Sequence, residues 1–352
     1  MALQDILASL AVVVNGLPQG LLALAFGFAA FPTALAFIVG AVGAVFFSQV
    51  APISFQAESI VLAGTMGKTR EERLNIVFFT GIVMAIIGGV GLLQPTIEFI
   101  GPAILNGMMA GVGITLAKVG VDMTKKNVLV GGLSVLTAVV VYFFTKDLVY
   151  TIVASVFVSA IPSFLRQKNK PHAEPAESEL KFEKLIPLKP TFNYNILRSV
   201  LALVTLQVGG NIAYASITGS LAKSAINVDY ITLYSGLADA VSSFFGGGPV
   251  EAIISGTAVA PHPVMAGVLM MVIMAVILLV KLLPTLARFV ASETIAGFLL
   301  VLGAIVVFPT NISLGFQADP LLAGVTATLT ASSDPFVGML AGIIVRFLAG
   351  IV

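Results

Sequence analysis

Two long apolar runs, Asn127 to Phe144 and Val264 to Leu283, constrain this chain more than any other feature. Neither alternates polar and apolar residues at period two, so neither reads as a barrel strand, and the helix is the other backbone able to satisfy its own polar groups in hydrocarbon. Similar stretches recur from one end to the other. Of 352 residues, 58% are hydrophobic and 10% charged, against roughly 25% charged in soluble domains. The sequence therefore predicts an all-α polytopic membrane protein. Its 34 Gly and 17 Pro fit spans that pack closely or break within the membrane.

Several functions are not expected. A net charge of +1, with no soluble basic face, gives no nucleic-acid surface. The chain has no Cys, and His172 and His262 sit in loop-like settings, so neither a metal site nor any cofactor beyond a coupling ion is expected. No His/Asp/Ser constellation points to an enzyme. Met1-Ala-Leu-Gln-Asp5 lacks a basic leader, so the first apolar stretch reads as a span rather than a signal peptide.

Apolar stretches fall at 3–30, 33–48, 50–65, 75–93, 99–118, 127–144 and 148–165, each near the roughly 20 residues a span needs or shortened by a Pro/Gly break. The polar segment 166–195 reads as a linker. A second group follows at 196–222, 226–246, 248–261, 264–283, 289–308, 318–333 and 335–352, about fourteen spans in all. The domain expectation is a first repeat at 1–165, the linker, and a second repeat at 196–352. Phe99 to Gly113 lies in register with Phe289 to Gly303, with Gly at the ninth and fifteenth places of both. An odd number of spans per half makes these repeats inverted, with the binding site between the halves. Lys and Arg gather on one face, at Lys68, Arg70, Arg73, Lys118, Lys125, Lys126, the linker, Lys281 and Arg288, with only Lys146 and Lys223 on the opposite face and Arg346 inside the last span. By the positive-inside rule that face is cytoplasmic, in a plasma or inner membrane, and both termini are external.

Two segments break the pattern in corresponding places, Ala51-Pro-Ile-Ser-Phe-Gln-Ala-Glu-Ser-Ile60 and Gly246-Gly-Gly-Pro-Val-Glu-Ala-Ile-Ile-Ser255. Each joins a Pro-bearing polar stretch to a short apolar piece, the pattern of a discontinuous third and tenth span with a short strand and an exposed helix terminus. Each also holds one carboxylate, Glu58 and Glu251. A charge at membrane depth costs several kcal/mol on insertion scales, so these two are expected to be functional, as substrate ligands and proton-coupling groups, unless they merely cap a helix. The amides Asn15, Gln19, Gln207 and Asn211 offer donors and acceptors, for a ligand or for helix-to-helix bonds. Gln56 and Phe55 lie beside Glu58. Asp239, on a small-residue surface, and Glu293, near a helix start, are weaker candidates.

With these residues in view, Phe55-Gln-Ala-Glu-Ser59 with Ala63-Gly-Thr-Met-Gly-Lys-Thr-Arg70, Gly101-Pro-Ala-Ile-Leu-Asn-Gly107 and Val14-Asn-Gly-Leu-Pro-Gln19 resemble motifs of the nucleobase/ascorbate transporter family, the xanthine/uracil permeases and their adenine/guanine/hypoxanthine branch. In that family the glutamate motif belongs to the tenth span, so the resemblance implies halves in swapped order. It also implies proton-coupled uptake of a purine or related nucleobase by alternating access, with sodium as the other coupling ion, one bundle carrying the site and the other gating it. Glu58, Gln56, Asn15 and Gln19 would then hold the base. The alternative is an anion carrier of the sulfate-permease class, which resembles the same inverted fold. Two membrane-depth carboxylates without a central Arg or Lys weigh against it at this stage. Membrane lipid surrounds either protein, and the Gly-rich surfaces would permit a homodimer.

Overall fold

The computed structural model describes residues 3–168, 183–287 and 292–350. Much of the linker, including His172, and Arg288 lie outside the described residues. The chain is an all-α polytopic membrane protein built as inverted repeats, with short strands in the third and tenth spans. Its elements are α1 (Leu3–Ala25), α2 (Ala30–Phe46), β1 (Ile53–Ser54), α3 (Ala57–Met66), α4 (Arg70–Val90), α5 (Leu93–Ile100), α6 (Pro102–Lys126), α7 (Val128–Thr145) and α8 (Leu148–Lys168). After the linker come α9 (Tyr194–Ala222), α10 (Val228–Phe244), β2 (Glu251–Ala252), a 3-10 turn (Gly256–Val259), α11 (Pro263–Leu279) and α12 (Leu282–Ala287). A 3-10 turn (Ser292–Ile295), α13 (Ala296–Leu300), a π-helical segment (Val301–Val307), α14 (Phe308–Ala318), α15 (Pro320–Ser332) and α16 (Pro335–Leu348) close the described chain.

Local sequence sets many of the helix starts. Thr69 accepts the amide of Glu72 at 3.2 Å while Glu72 accepts that of Lys68 at 2.7 Å, a reciprocal cap that satisfies two orphan donors at the start of α4. Asp319 and Asp334 cap α15 and α16 through the amides of Leu322 and Val337, and Pro320 and Pro335 fill the first helical position, where no donor is missed.

The chain divides into two compact units, each drawing on both halves of the sequence. Unit 1 takes residues 1–94, 173–200 and 210–288; unit 2 takes 95–172, 201–209 and 289–352. Within unit 1, α4 and α10 pack through their glycines: a Cβ on Gly81 would sit 2.5 Å from the Ala240 nitrogen, and one on Gly236 would sit 2.4 Å from the Ala85 nitrogen. Without a hydrophobic drive between helices in lipid, this backbone approach supplies the dispersion contact. The linker end belongs here too. Glu183 accepts the amides of Ala30 and Phe31 at 2.8 and 2.6 Å, capping α2, whose own N-cap residue is Ala29. Burial pushes the Glu183 carboxyl up, and those two amides, Lys281 and Arg70 pull it back.

Within unit 2 the two repeats meet at equivalent glycines. A Cβ on Gly113 would lie 2.9 Å from the Gly303 oxygen, and one on Gly303 would lie 2.3 Å from the Gly113 oxygen. These are the fifteenth places of the aligned segments, so the repeat visible in sequence is a packing contact in space.

Candidate functional site

The site lies in unit 1, where the two broken spans meet as an antiparallel ribbon, Ile53 opposite Ala252 and Ser54 opposite Glu251. Pro52 and Pro249 precede the strands and cannot donate to a helix ladder, so the backbone runs extended and must find other partners. Side chains supply them. The Asn211 carbonyl accepts the Ala252 amide at 3.1 Å, and its NH2 donates to Thr232 and Ser235 at 3.3 and 3.1 Å. Asp239 accepts the Val250 amide at 2.7 Å, the Tyr234 hydroxyl donates to the Ala51 carbonyl at 2.6 Å, and the Thr218 hydroxyl donates to that of Ile253 at 2.8 Å.

From this ribbon α3 sets off, and its first amide, Ala57, donates to the Gln19 side-chain oxygen at 2.9 Å. One residue on, Glu58 is 4% exposed and its Oε1 accepts the Tyr214 hydroxyl at 3.2 Å. Glu251 is 1% exposed and its Oε1 accepts the Ser59 hydroxyl at 2.9 Å. The second oxygen of each carboxylate, and the Ser54 hydroxyl, are buried without a hydrogen-bond partner. Glycine opens the space for this: a Cβ on Gly210 would lie 3.3 Å from Glu251 Oε2, and one on Gly16 would lie 3.1 Å from Ser54 Oγ. Buried polar atoms are almost always satisfied, so three orphans in one place mark a site awaiting a ligand or protons.

Of the residues singled out from sequence, Glu58, Gln56, Gln19, Glu251 and Asn211 come together here, though in different roles. Gln19 and Asn211 are latches on backbone. The Gln56 side chain donates to the Ala252 carbonyl at 3.3 Å. Phe55 is buried edge-on to Phe37, with ring centroids 5.3 Å apart. Asn15 is half-buried on α1, the helix that carries Gln19. Gln207 is buried in the stretch of α9 that belongs to unit 2. Asp239 holds the strand as described, and Glu293 sits in the 3-10 turn before α13. Sequence reasoning missed Tyr214, Ser59 and Ser54. Tyr214 lies three residues after Asn211, hence on the same face of α9, which was the available signal.

No Lys or Arg hydrogen-bonds to either carboxylate among the described residues. The positive contribution is that of the start of α3, a helix of ten residues. Chemically, the cluster offers free acceptors beside a helix dipole, so it takes up protons or ligand donors directly. It suits an anion only once it is neutralised.

No family model and no curated protein matches the sequence. Solved structures do match. The transmembrane domain of a cyanobacterium bicarbonate transporter, BicA, superposes with a TM-score of 0.71 at 18% identity, covering 96% of this chain and 96% of that one. SLC26A9 aligns at TM-score 0.67 and 12% identity over 99% of this chain and 65% of that one. The murine SLC26A9 anion transporter in its inward-facing state aligns at 0.58 and 14%, over 99% and 68%.

These matches overturn the resemblance to the nucleobase/ascorbate family, and with it the nucleobase, purine and symport expectations and the swapped order of halves that rested on it. The reason is physical. The Gly and Pro of the second motif serve the fold: Gly101 has φ 79°, Pro102 opens α6, and a Cβ on Gly107 would sit 2.6 Å from the Ala323 oxygen. Such residues report on helix starts and close packing, and say nothing of the solute. The chain shares its fold with a bicarbonate transporter and an anion transporter of the SLC26 type.

Proposed function

We propose that this protein carries a small inorganic anion, of the bicarbonate or sulfate class, across a plasma or inner membrane by alternating access. The observation that carries the reading is the match over 96% of both chains to the transmembrane domain of a bicarbonate transporter. The Lys/Arg bias supports placing segment 166–195 in the cytoplasm, joining a repeat at 1–165 to one at 196–352. The start of α3 is the anion-facing element, Gln56 supplies a donor, Tyr214 holds Glu58, and Glu58 and Glu251 are proton-accepting groups that decide the charge of the site. Phe55 and Asn15 wall it, and Gln19 and Asn211 hold its frame.

Uptake of labelled bicarbonate, sulfate and chloride into proteoliposomes tests this. Saturable movement of one of them above empty liposomes is the expected result. Movement of none, under any imposed gradient, would sink the proposal.

A further inference from the structure

We propose that Glu58 is a built-in stand-in for the transported anion: while charged it covers the positive end of α3 and keeps a free anion out, and its protonation opens the site. This rests on the anion-carrier reading and adds the condition under which the anion binds.

The start of α3 carries the orphan amides and partial positive charge that make a helix N-terminus attractive to anions. Here that end is already occupied. Gln56, at the N-cap, gives no side-chain cap, the Ala57 amide is taken by Gln19, and the Glu58 carboxylate draws on the amide of its own residue and on the Tyr214 hydroxyl. The groups facing Glu58 from each packed element are Gln19 on α1, Ser59 on α3, Tyr214 on α9 and Glu251 on β2, with Asp239 of α10 behind Glu251. None is a cation.

A free anion arriving now would meet two carboxylates in a low-dielectric setting, where like charges repel strongly. One proton changes the chemistry. Glu58 Oε2 and Glu251 Oε2 both lack a partner; the proton that matters for the anion is the one on Glu58, which sits in the first turn of α3, and Oε1 keeps the Tyr214 hydroxyl. Oε2 then becomes an O–H donor, and the dipole of α3 loses its competing charge. Glu251 stays pinned through Oε1 by Ser59. The proton acts as a gate on binding.

The test is the pH profile of anion uptake into proteoliposomes, with equal pH on both sides, for wild type, Glu58→Gln and Tyr214→Phe. Labelled sulfate and chloride are the probes, with bicarbonate corrected for its fraction at each pH. Wild-type uptake should rise as pH falls, by up to about ten-fold per unit on the alkaline side. Glu58→Gln, neutral at every pH, should lose about ten-fold of that dependence and run near the acid-limit rate. Tyr214→Phe takes a donor from the charged form of Glu58, so it should move the uptake profile to higher pH by about one unit with the slope unchanged.

A Glu58→Gln protein that elutes folded yet keeps the wild-type slope, or is inactive at every pH, overturns the inference. Should that variant not be recovered folded, the wild type decides, because anion movement with a flat pH profile overturns the inference and leaves the transport reading standing. If the wild type moves none of the three anions, both fall.

Discussion

The two broken spans of unit 1 occupy corresponding places in the repeats and share a ribbon, yet they end differently. After β1 the chain forms a ten-residue helix, Ala57–Met66; after β2 it manages only a four-residue 3-10 turn, Gly256–Val259. Ala57-Glu-Ser-Ile-Val-Leu-Ala-Gly-Thr-Met66 contains no proline, so its helix ladder is uninterrupted. The second segment runs Gly256-Thr-Ala-Val-Ala260 and then places Pro261 and Pro263 around His262, which removes donors and restricts the residues before each proline. Only the first broken span thus has a helix long enough to present a positive end to a ligand. Inverted symmetry supplies two frames, and local sequence makes one of them the ligand-facing partner. The second span contributes its carboxylate, Glu251, from a strand.

Breaking the shared frame should have the largest effect. Asn211→Leu removes the acceptor of the Ala252 amide and two further hydrogen bonds in a buried setting. The expected cost is about 3 kcal/mol or more, read as loss of monodisperse protein in size exclusion or a large fall in thermal midpoint. An Asn211→Leu protein as stable as wild type would show that the strands hold without this latch.

Gln19→Leu acts on the first span alone, since it strips the Ala57 amide of its partner. A loss of about 2 kcal/mol and faster hydrogen exchange at the start of α3, with the second span unaffected, are expected. Equal change in both spans would mean that they do not behave as separate elements.

Ser59→Ala acts across the pair by freeing Glu251 Oε1. A hydrogen bond to a charged group is worth about 1.5 kcal/mol or somewhat more, so the thermal midpoint should fall modestly at high pH, where Glu251 is charged. The penalty should shrink in acid, where a protonated Glu251 depends less on that donor. A penalty independent of pH would assign Ser59 a packing role only.

Gly256→Ala sharpens the comparison most gently. A Cβ there would meet nothing closer than Val12 Cγ2 at 3.8 Å, and no positive φ is involved. A gain of about 0.5 kcal/mol is expected from reduced freedom of the unfolded chain, seen as a small rise in thermal midpoint. A loss would mean that the short turn needs glycine for a reason other than local conformation.

Much of the architecture was legible in the sequence, because a bilayer leaves few backbone options. The runs at 127–144 and 148–165 became α7 and α8, and the Pro-bearing breaks at 51–60 and 246–255 became the strands. Of the glycines aligned between Phe99–Gly113 and Phe289–Gly303, the pair Gly113 and Gly303 proved to be neighbours in unit 2, while Gly107 packs on Ala323 and Gly297 on Ser134. The site was half legible. Glu58 and Glu251 stand out because a charge in an apolar run has few reasons to exist, whereas Tyr214 and Ser59 look like any span residues until the fold places them against those carboxylates. The family resemblance misled because Gly and Pro at fixed spacing describe how helices start and pack, and say nothing of what passes between them.

By itself, then, the sequence determined that this chain lives in a bilayer as inverted helical repeats with two interrupted spans, because apolar length and period are local properties that hydrocarbon enforces. Only the tertiary structure decided which polar groups meet, that Gln19 and Asn211 hold backbone, and that two carboxylates keep an oxygen free beside one helix end. Those facts depend on contacts between residues as far apart as Ser59 and Glu251, which no local pattern encodes.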